Sequence, residues 1–318
     1  MKTKEIKRIG ILGTGTIGAS WATFFASKGI PVRMYDVDAS ILETGVRKAK
    51  ENLATLVEYG MLDKSMLGPA TENVLLANDL RAMVEDADYI QESALENYDV
   101  KKKIFHELDS LTPADVILAS SSSGLLMSEI QSFTEKPERC LIAHPFNPPH
   151  LVPLVELVPG RQTDLELVQF VKGFFEGLGK IPVLLKKEAP GHIANRLAAA
   201  LWRESIEIVT RGIASVEDVD KALYAGPGIR WALMGQHLIY HLGGGEGGYE
   251  YFIDHIGKAF GTLWEDMPTW TAISDESKKT LVEGMKDAVG DKSLAELAQW
   301  RDKKIADLIK VIYEKPSP

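Results

Sequence analysis

Arg8-Ile9-Gly10-Ile11-Leu12-Gly13-Thr14-Gly15-Thr16-Ile17-Gly18 decides the fold, because it runs a short apolar strand into a glycine turn and then a helix. The pattern is G-x-G-x-x-G. Gly13 permits the tight turn, Gly15 lets the backbone approach a pyrophosphate, and Gly18 allows the helix to pack closely on the strand. The free N–H groups of Thr16 and Ile17 and the helix dipole at that N-terminus favour phosphate charge. Thr16 to Lys28 has helical periodicity and ends at Gly29, and Val32 to Tyr35 reads as a second strand. Asp36 closes that strand, where a carboxylate accepts both ribose hydroxyls and repels the 2′-phosphate of NADP. Gly13, Gly15, Thr16, Ile17, Gly18 and Asp36 together predict an NAD site.

Outward from this unit, strand and helix signals alternate. Ile41 to Tyr59 and Val100 to Leu108 are amphipathic helices. Val74 to Leu76, Asp88 to Gln91, Val116 to Ala119 and Cys140 to Ala143 are strand candidates. Pro153 to Val158, a helix from Leu165 to Leu178, and Ile181 to Leu185 extend the sheet. Such alternation predicts a Rossmann-type α/β domain with a mostly parallel sheet. From Pro190-Gly191 onward everything reads as helix: to about Val209, then Val216 to Leu223, Trp231 to Tyr240, Gly248 to Phe260, Glu276 to Val289 and Leu294 to Ile312. The expected division is an NAD-binding domain over 1–187 and an all-helical domain for substrate binding and dimerisation over 188–318.

The 318 residues fit two domains better than one core. A net charge of −9 argues against nucleic-acid binding, which calls for a basic face. The single cysteine, Cys140, rules out an intrachain disulfide and a cysteine-rich metal site, and fits a reducing compartment. Met1 to Glu5 leads into an apolar run too short for a signal core, and no stretch approaches the roughly 18 apolar residues of a membrane helix. These features predict a cytoplasmic protein with no membrane partner. No grouping of His192, His237, His241 or His255 with carboxylates makes a metal site, and these histidines read as surface or packing residues.

Four further segments belong together: Ala119-Ser120-Ser121-Ser122-Ser123, His144-Pro145-Phe146-Asn147-Pro148-Pro149, Val155-Glu156-Leu157-Val158, and Pro190-Gly191-His192-Ile193-Ala194-Asn195-Arg196. In order and spacing they resemble the 3-hydroxyacyl-CoA dehydrogenase family over nearly the whole chain. That family carries a serine in an S-N-T-S-S-like segment, a histidine in H-F-F-N-P, a glutamate twelve residues later and an asparagine in G-F-I-x-N-R. The resemblance implies Ser123, His144, Glu156 and Asn195 as the catalytic set. It also implies Glu96, Lys101 and Asn147 as cofactor contacts. Here the serine segment departs from the family, with Ser121 and Ser122 for Asn and Thr, and Gly124 for the second serine.

The chemistry suits these residue types. Oxidising a secondary alcohol needs a base for the hydroxyl proton while hydride leaves, and histidine titrates near working pH. Glu156 lies on an apolar strand, where a carboxylate is costly unless paired, which marks it as the partner of His144. Ser123 and Asn195 can hydrogen-bond the oxygen as it becomes a carbonyl.

Gly226-Pro227-Gly228-Ile229-Arg230-Trp231-Ala232 and Gly243-Gly244-Gly245-Glu246-Gly247-Gly248 resemble the carnitine dehydrogenase branch, whereas acyl-CoA enzymes usually read G-x-P-M-G-P at the first segment. That implies L-carnitine as substrate. Its trimethylammonium would suit aromatic faces and a carboxylate, for which Trp231, Tyr240, Trp264, Trp270 and Glu246 are candidates. Arg230 or Arg196 would meet its carboxylate. Arg47, Lys48, Lys50 and Lys64 are offset by Glu43, Glu51, Glu58 and Asp63, which weakens the case for a CoA ester. Oxidation of a 3-hydroxyacyl-CoA or of L-gulonate stays open, as does a non-catalytic, lambda-crystallin-like protein. A homodimer is the expected assembly.

Overall fold

The computed structural model describes residues 4–313. The chain divides into two compact units, Met1–Arg196 and Leu197–Pro318.

The first unit is built on eight strands: β1 (Ile9–Leu12), β2 (Val32–Tyr35), β3 (Val74–Leu76), β4 (Tyr89–Glu92), β5 (Ile117–Ser120), β6 (Cys140–Pro145), β7 (Leu154–Pro159) and β8 (Ile181–Leu184). They form one sheet in the order β3-β2-β1-β4-β5-β6-β7-β8. Neighbours pair in parallel except β6 with β7, which run antiparallel. The order reverses between β1 and β4, and ligands of open α/β sheets bind outside the carboxyl ends of strands at such a switch point. The helices are α1 (Thr16–Ser27), α2 (Ala39–Glu58), α3 (Leu67–Glu72), α4 (Leu80–Val84), α5 (Tyr98–Leu111), α6 (Met127–Ile130) and α7 (Leu165–Gly177).

Strand alternation sorts the core into two layers. Ile9, Ile11, Val32, Met34 and Tyr89 pack on one face with α1, α2 and α7. Leu12, Ile90, Leu118 and Ile142 pack on the other with Phe105 and Leu108 of α5. Trp21 stacks on Phe25 at 5.2 Å between centroids, and Phe175 of α7 leans on both rings. Each fully buried side chain of this size stabilises by roughly 1.5–3 kcal/mol. This packing fixes α1, and with it the glycine turn, against the sheet.

The second unit continues α8 (Ala194–Thr210) into α9 (Val216–Ala225), α10 (Pro227–Trp231), α11 (Gln236–Gly243), α12 (Gly248–Tyr251), α13 (Phe260–Asp266), α14 (Asp275–Val289) and α15 (Leu294–Tyr313). Three helical expectations need correction. Residues 190–193 form a turn, because Gly191 and His192 take φ of +76° and +53°, outside the right-handed helical region. The expected helix from Trp231 to Tyr240 breaks, because Gly235 is extended and caps α11. Gly248 to Phe260 is interrupted by a π-helical turn, Phe252–Ile256, and a 3-10 turn, Gly257–Ala259. Among the described residues no helix is long and apolar enough to cross a membrane.

Candidate active site

Gly13 sits at φ +86°, and a Cβ there would lie 2.6 Å from the Ser93 carbonyl carbon. A Cβ on Gly18 would fall 1.8 Å from the Gly13 oxygen, so only glycine lets α1 approach the strand end this closely. Above Gly15 the space is open, with nothing within 4 Å of an added Cβ. No side chain caps the start of α1. Its free N–H groups therefore face a site shaped for an anion. Asp36 Oδ2 accepts from Thr14 N at 2.8 Å, and Oδ1 accepts from Asp38 N at 3.2 Å. The half-buried carboxylate is thus aimed by the turn itself. This cradle fits a dinucleotide with an unphosphorylated adenosine ribose.

Beside it lies a cavity of about 500 Å³, lined by Ile17, Ser93, Ala94, Glu96, Lys101, Ser121, Ser123, His144, Pro145, Phe146, Asn147 and Asn195. The sheet explains why His144 and Glu156 meet. They are directly opposed in the antiparallel β6–β7 pair, so both side chains project from one face. His144 Nδ1 lies 2.8 Å from Glu156 Oε2, and both residues are buried. The other oxygen, Oε1, accepts from the backbone N–H groups of Ile193 and Ala194 at 2.8 and 2.9 Å, where α8 begins. Burial pushes the Glu156 carboxyl up, but the His144 ring and these two N–H groups outweigh it and hold it below the usual carboxylate range. Glu156 is therefore a carboxylate near neutral pH, and a neutral His144 beside it carries its proton on Nδ1. Nε2 is left as the lone-pair nitrogen.

Of the consecutive serines, Ser121 and Ser123 line the cavity. Ser122 is buried, its hydroxyl donating to Glu96 at 2.7 Å. Glu96 Oε1 also accepts from Ser123 N at 2.8 Å and Gly124 N at 3.1 Å, fastening the serine turn. Against the desolvation that raises its carboxyl, the Ser122 hydroxyl and the Lys101 charge hold Glu96 low. Lys101 borders the cavity, yet its buried ammonium is engaged by Glu92 at 2.7 and 2.9 Å, with Glu96 at 3.5 Å. Asn195 Nδ2 donates to the Ser123 carbonyl at 3.1 Å, which ties the start of α8 to the serine turn.

Two residues escape sequence reasoning. Glu92 is fully buried behind Lys101 and accepts from Ser120 Oγ at 2.5 Å. His192, expected as a surface or packing histidine, is buried with its ring centroid 5.2 Å from that of His144. The only signal for it in the chain is its place three residues before Asn195. His237, His241 and His255 are exposed. Arg196 is exposed and reaches back to the Pro190 carbonyl at 3.4 Å.

Arg230, Trp231, Tyr240, Glu246, Trp264 and Trp270 belong to the second unit. There Trp231 Nε1 donates to Gln236, Trp270 Nε1 donates to Glu207 at 2.9 Å, and Tyr240 stacks on Phe252 at 4.3 Å. One face of Tyr240 is therefore used in packing.

The family profile "3-hydroxyacyl-CoA dehydrogenase, NAD binding domain" matches residues 8–189, and "3-hydroxyacyl-CoA dehydrogenase, C-terminal domain" matches 191–284. An L-carnitine dehydrogenase of Streptomyces coelicolor is 36% identical, over 96% of this chain and 95% of that protein. One from Pseudomonas sp. is 37% identical, over 97% and 94%. Among solved structures, an NAD+-dependent 5-formyl-3-hydroxy-2-methylpyridine 4-carboxylic acid 5-dehydrogenase superposes with a TM-score of 0.82 at 25% identity, over 98% of this chain and all of that one. Escherichia coli 3-hydroxybutyryl-CoA dehydrogenase gives 0.69 at 27% identity, over 88% and 57%. The chain belongs to the 3-hydroxyacyl-CoA dehydrogenase family and is an NAD-dependent dehydrogenase acting on a secondary alcohol.

Proposed function

We propose that the protein oxidises the 3-hydroxyl of L-carnitine to 3-dehydrocarnitine, with His144 as general base. The observation that carries the chemistry is the His144–Glu156 pair, 2.8 Å apart on one sheet face beside Ser123 and Asn195. With Nδ1 held by Glu156, Nε2 takes the hydroxyl proton. Glu156 stabilises the imidazolium that forms, and its second oxygen, bonded to Ile193 N and Ala194 N, keeps the carboxylate from rotating. The Ser123 hydroxyl, turning from its 3.3 Å bond to Glu96 Oε1, and the Asn195 amide hydrogen-bond the substrate oxygen as it becomes a carbonyl, a contribution of about 10²-fold or more for well-placed donors. NAD, when bound, supplies the hydride acceptor. Gly13, Gly15, Thr16, Ile17 and Gly18 would hold its pyrophosphate and Asp36 its ribose, with Asn147, Glu96 and Lys101 bordering the nicotinamide side.

The carnitine assignment is supported by the L-carnitine dehydrogenases that match nearly end to end and by the Gly226–Gly248 stretch. Arg47 on α2 is paired with Glu51 at 2.6 Å, in keeping with the offset of cations by carboxylates along the helix that follows Asp36. Arg196, exposed beside Asn195, is the proposed contact for the substrate carboxylate. NADH formation should be measured with L-carnitine, L-gulonate and 3-hydroxybutyryl-CoA separately. L-carnitine should lead in kcat/KM by about 10²-fold or more, a discrimination that a fitted pocket reaches. A preference for the ester or gulonate overturns the carnitine assignment and leaves the dehydrogenase standing. NAD binding without turnover of any of them favours a lambda-crystallin-like role.

We also infer a homodimer. Trp202, Ile229, Leu233, Leu242, Trp264 and Trp300 of the second unit are each at least 60% exposed, apolar surface that a second copy would cover. Light scattering should give twice the 35.0 kDa chain mass. A monomer over the working concentration range rejects it.

A further inference from the structure

His192 stands where the family pattern G-F-I-x-N-R carries phenylalanine, and phenylalanine can donate no hydrogen bond. Here the imidazole is buried, only 1% exposed, and its Nε2 lies 3.0 Å from the Ser122 carbonyl oxygen. A carbonyl only accepts, so the proton of that bond is on Nε2. Nδ1 is buried with no partner. A proton there would add a buried charge without an acceptor, which is costly. The bond pattern alone therefore selects one state, neutral imidazole with Nε2–H.

The backbone supports a fixed role. His192 is the one non-glycine residue with positive φ among the described residues, at +53°. That conformation is uncommon outside glycine, with His, Asn and Asp the usual exceptions, and it persists where surroundings over-determine it. The surroundings are plain. His192 N donates to Ala189 O at 3.0 Å, and the next two N–H groups are taken by Glu156. Glu156 thus holds both the His144 ring and the main chain that follows His192, while the His192 ring holds the serine turn. His192 does not line the cavity.

We propose that His192 is a positioning residue of the dehydrogenase centre, which as its Nε2–H tautomer fixes the Ser122–Ser123 turn against His144. Ser123 is then held by the His192 ring on the carbonyl before it, by Asn195 on its own carbonyl, and by Glu96 on its N–H and, at 3.3 Å, its hydroxyl. The neutral ring also adds no charge beside the His144–Glu156 pair, and Glu96 is a further carboxylate near it. The proposal rests on the reading of His144 as base.

Two substitutions separate donor from ring. His192→Gln keeps an N–H near the position of Nε2 and does not titrate. His192→Phe restores the family's ring and removes the donor. With the preferred substrate, His192→Phe should lower kcat about tenfold, the loss expected for one misplaced transition-state contact of ~1.4 kcal/mol, with KM for NAD unchanged. His192→Gln should recover most of it. If His192→Phe does not fold, His192→Asn serves, because asparagine tolerates the left-handed backbone and is too short to reach the Ser122 carbonyl. Long-range ¹H–¹⁵N spectra of histidine-labelled protein should show His192 protonated on Nε2 alone near neutral pH. That readout stands even if no tested alcohol is turned over, an outcome that counts against the proposed reaction instead. Parent-like kcat in His192→Phe, or a proton on Nδ1, overturns the proposal.

Discussion

His144→Ala should lower kcat by about 10³-fold, the middle of the range for losing a positioned general base, or roughly 4 kcal/mol of barrier. KM for NAD should stay near its parent value, because the dinucleotide cradle is built from Gly13, Gly15, Gly18 and Asp36, in the β1–α1 turn, the first turn of α1 and just past β2. The substitution removes a buried ring packed against His192 and leaves Glu156 Oε2 without its partner. A fall in melting temperature is therefore expected too, since an abandoned buried carboxylate costs about 1–3 kcal/mol or more. His144→Gln controls for this, because its side-chain N–H can still meet Glu156 while offering no base. If His144→Gln is as slow as His144→Ala but melts closer to the parent, the rate loss is chemical. Retention of most parent activity in either variant, with folding verified, removes His144 from the mechanism.

Much of this centre is legible in the sequence. The G-x-G-x-x-G turn and Asp36 announce the cofactor because backbone conformation, close approach and ribose recognition demand those residue types at that spacing. The cavity lining includes Ser123, His144 and Asn195, and Glu156 sits on His144 as its placement on an apolar strand implied. What period-two alternation does not encode is strand direction. Val155-Glu156-Leu157-Val158 reads equally as parallel or antiparallel, yet only the antiparallel pairing puts Glu156 opposite His144. Glu92 was hidden for a related reason, since its burial depends on the neighbouring strands bringing Ser120 and Lys101 to it. His192 depends on two consecutive left-handed residues, and only the first is a glycine. In the second unit, Gly235 breaks what hydrophobic periodicity presents as one helix from Trp231 to Tyr240. Its aromatic residues are spaced like core residues and like a cation box at once, and Tyr240 on Phe252 shows packing to be at least part of their use.

Glu156→Gln should be nearly as damaging as loss of His144 itself, with kcat/KM down by about 10²–10³-fold. The substitution conserves shape, so the argument is about protons. In the parent, one carboxylate accepts from three N–H groups: His144 Nδ1 on Oε2, and Ile193 N and Ala194 N on Oε1. An amide has one acceptor oxygen. Two backbone donors fixed at the start of α8 will claim it, leaving the side-chain NH₂ to face His144 Nδ1. Nδ1 must then accept, the ring proton moves to Nε2, and the nitrogen needed as base is blocked. A comparable tautomer error in a Ser-His-Asp centre costs about 10⁴ in kcat, and the smaller figure here allows for an alcohol that needs no nucleophilic attack. The stability signature is independent of turnover. Because the folded Glu156 carboxyl is held below its ordinary value, its contribution is fully present above the unfolded range near 4.3 and is lost as pH falls through the folded value. Glu156→Gln should therefore flatten the acid side of the melting-temperature profile while lowering the melting temperature near neutral pH. Histidine ¹⁵N shifts should show His144 protonated on Nε2 in the variant and on Nδ1 in the parent. An unchanged tautomer together with parent-like kcat/KM would mean that Glu156 supports the strand pair and has no hold on the proton.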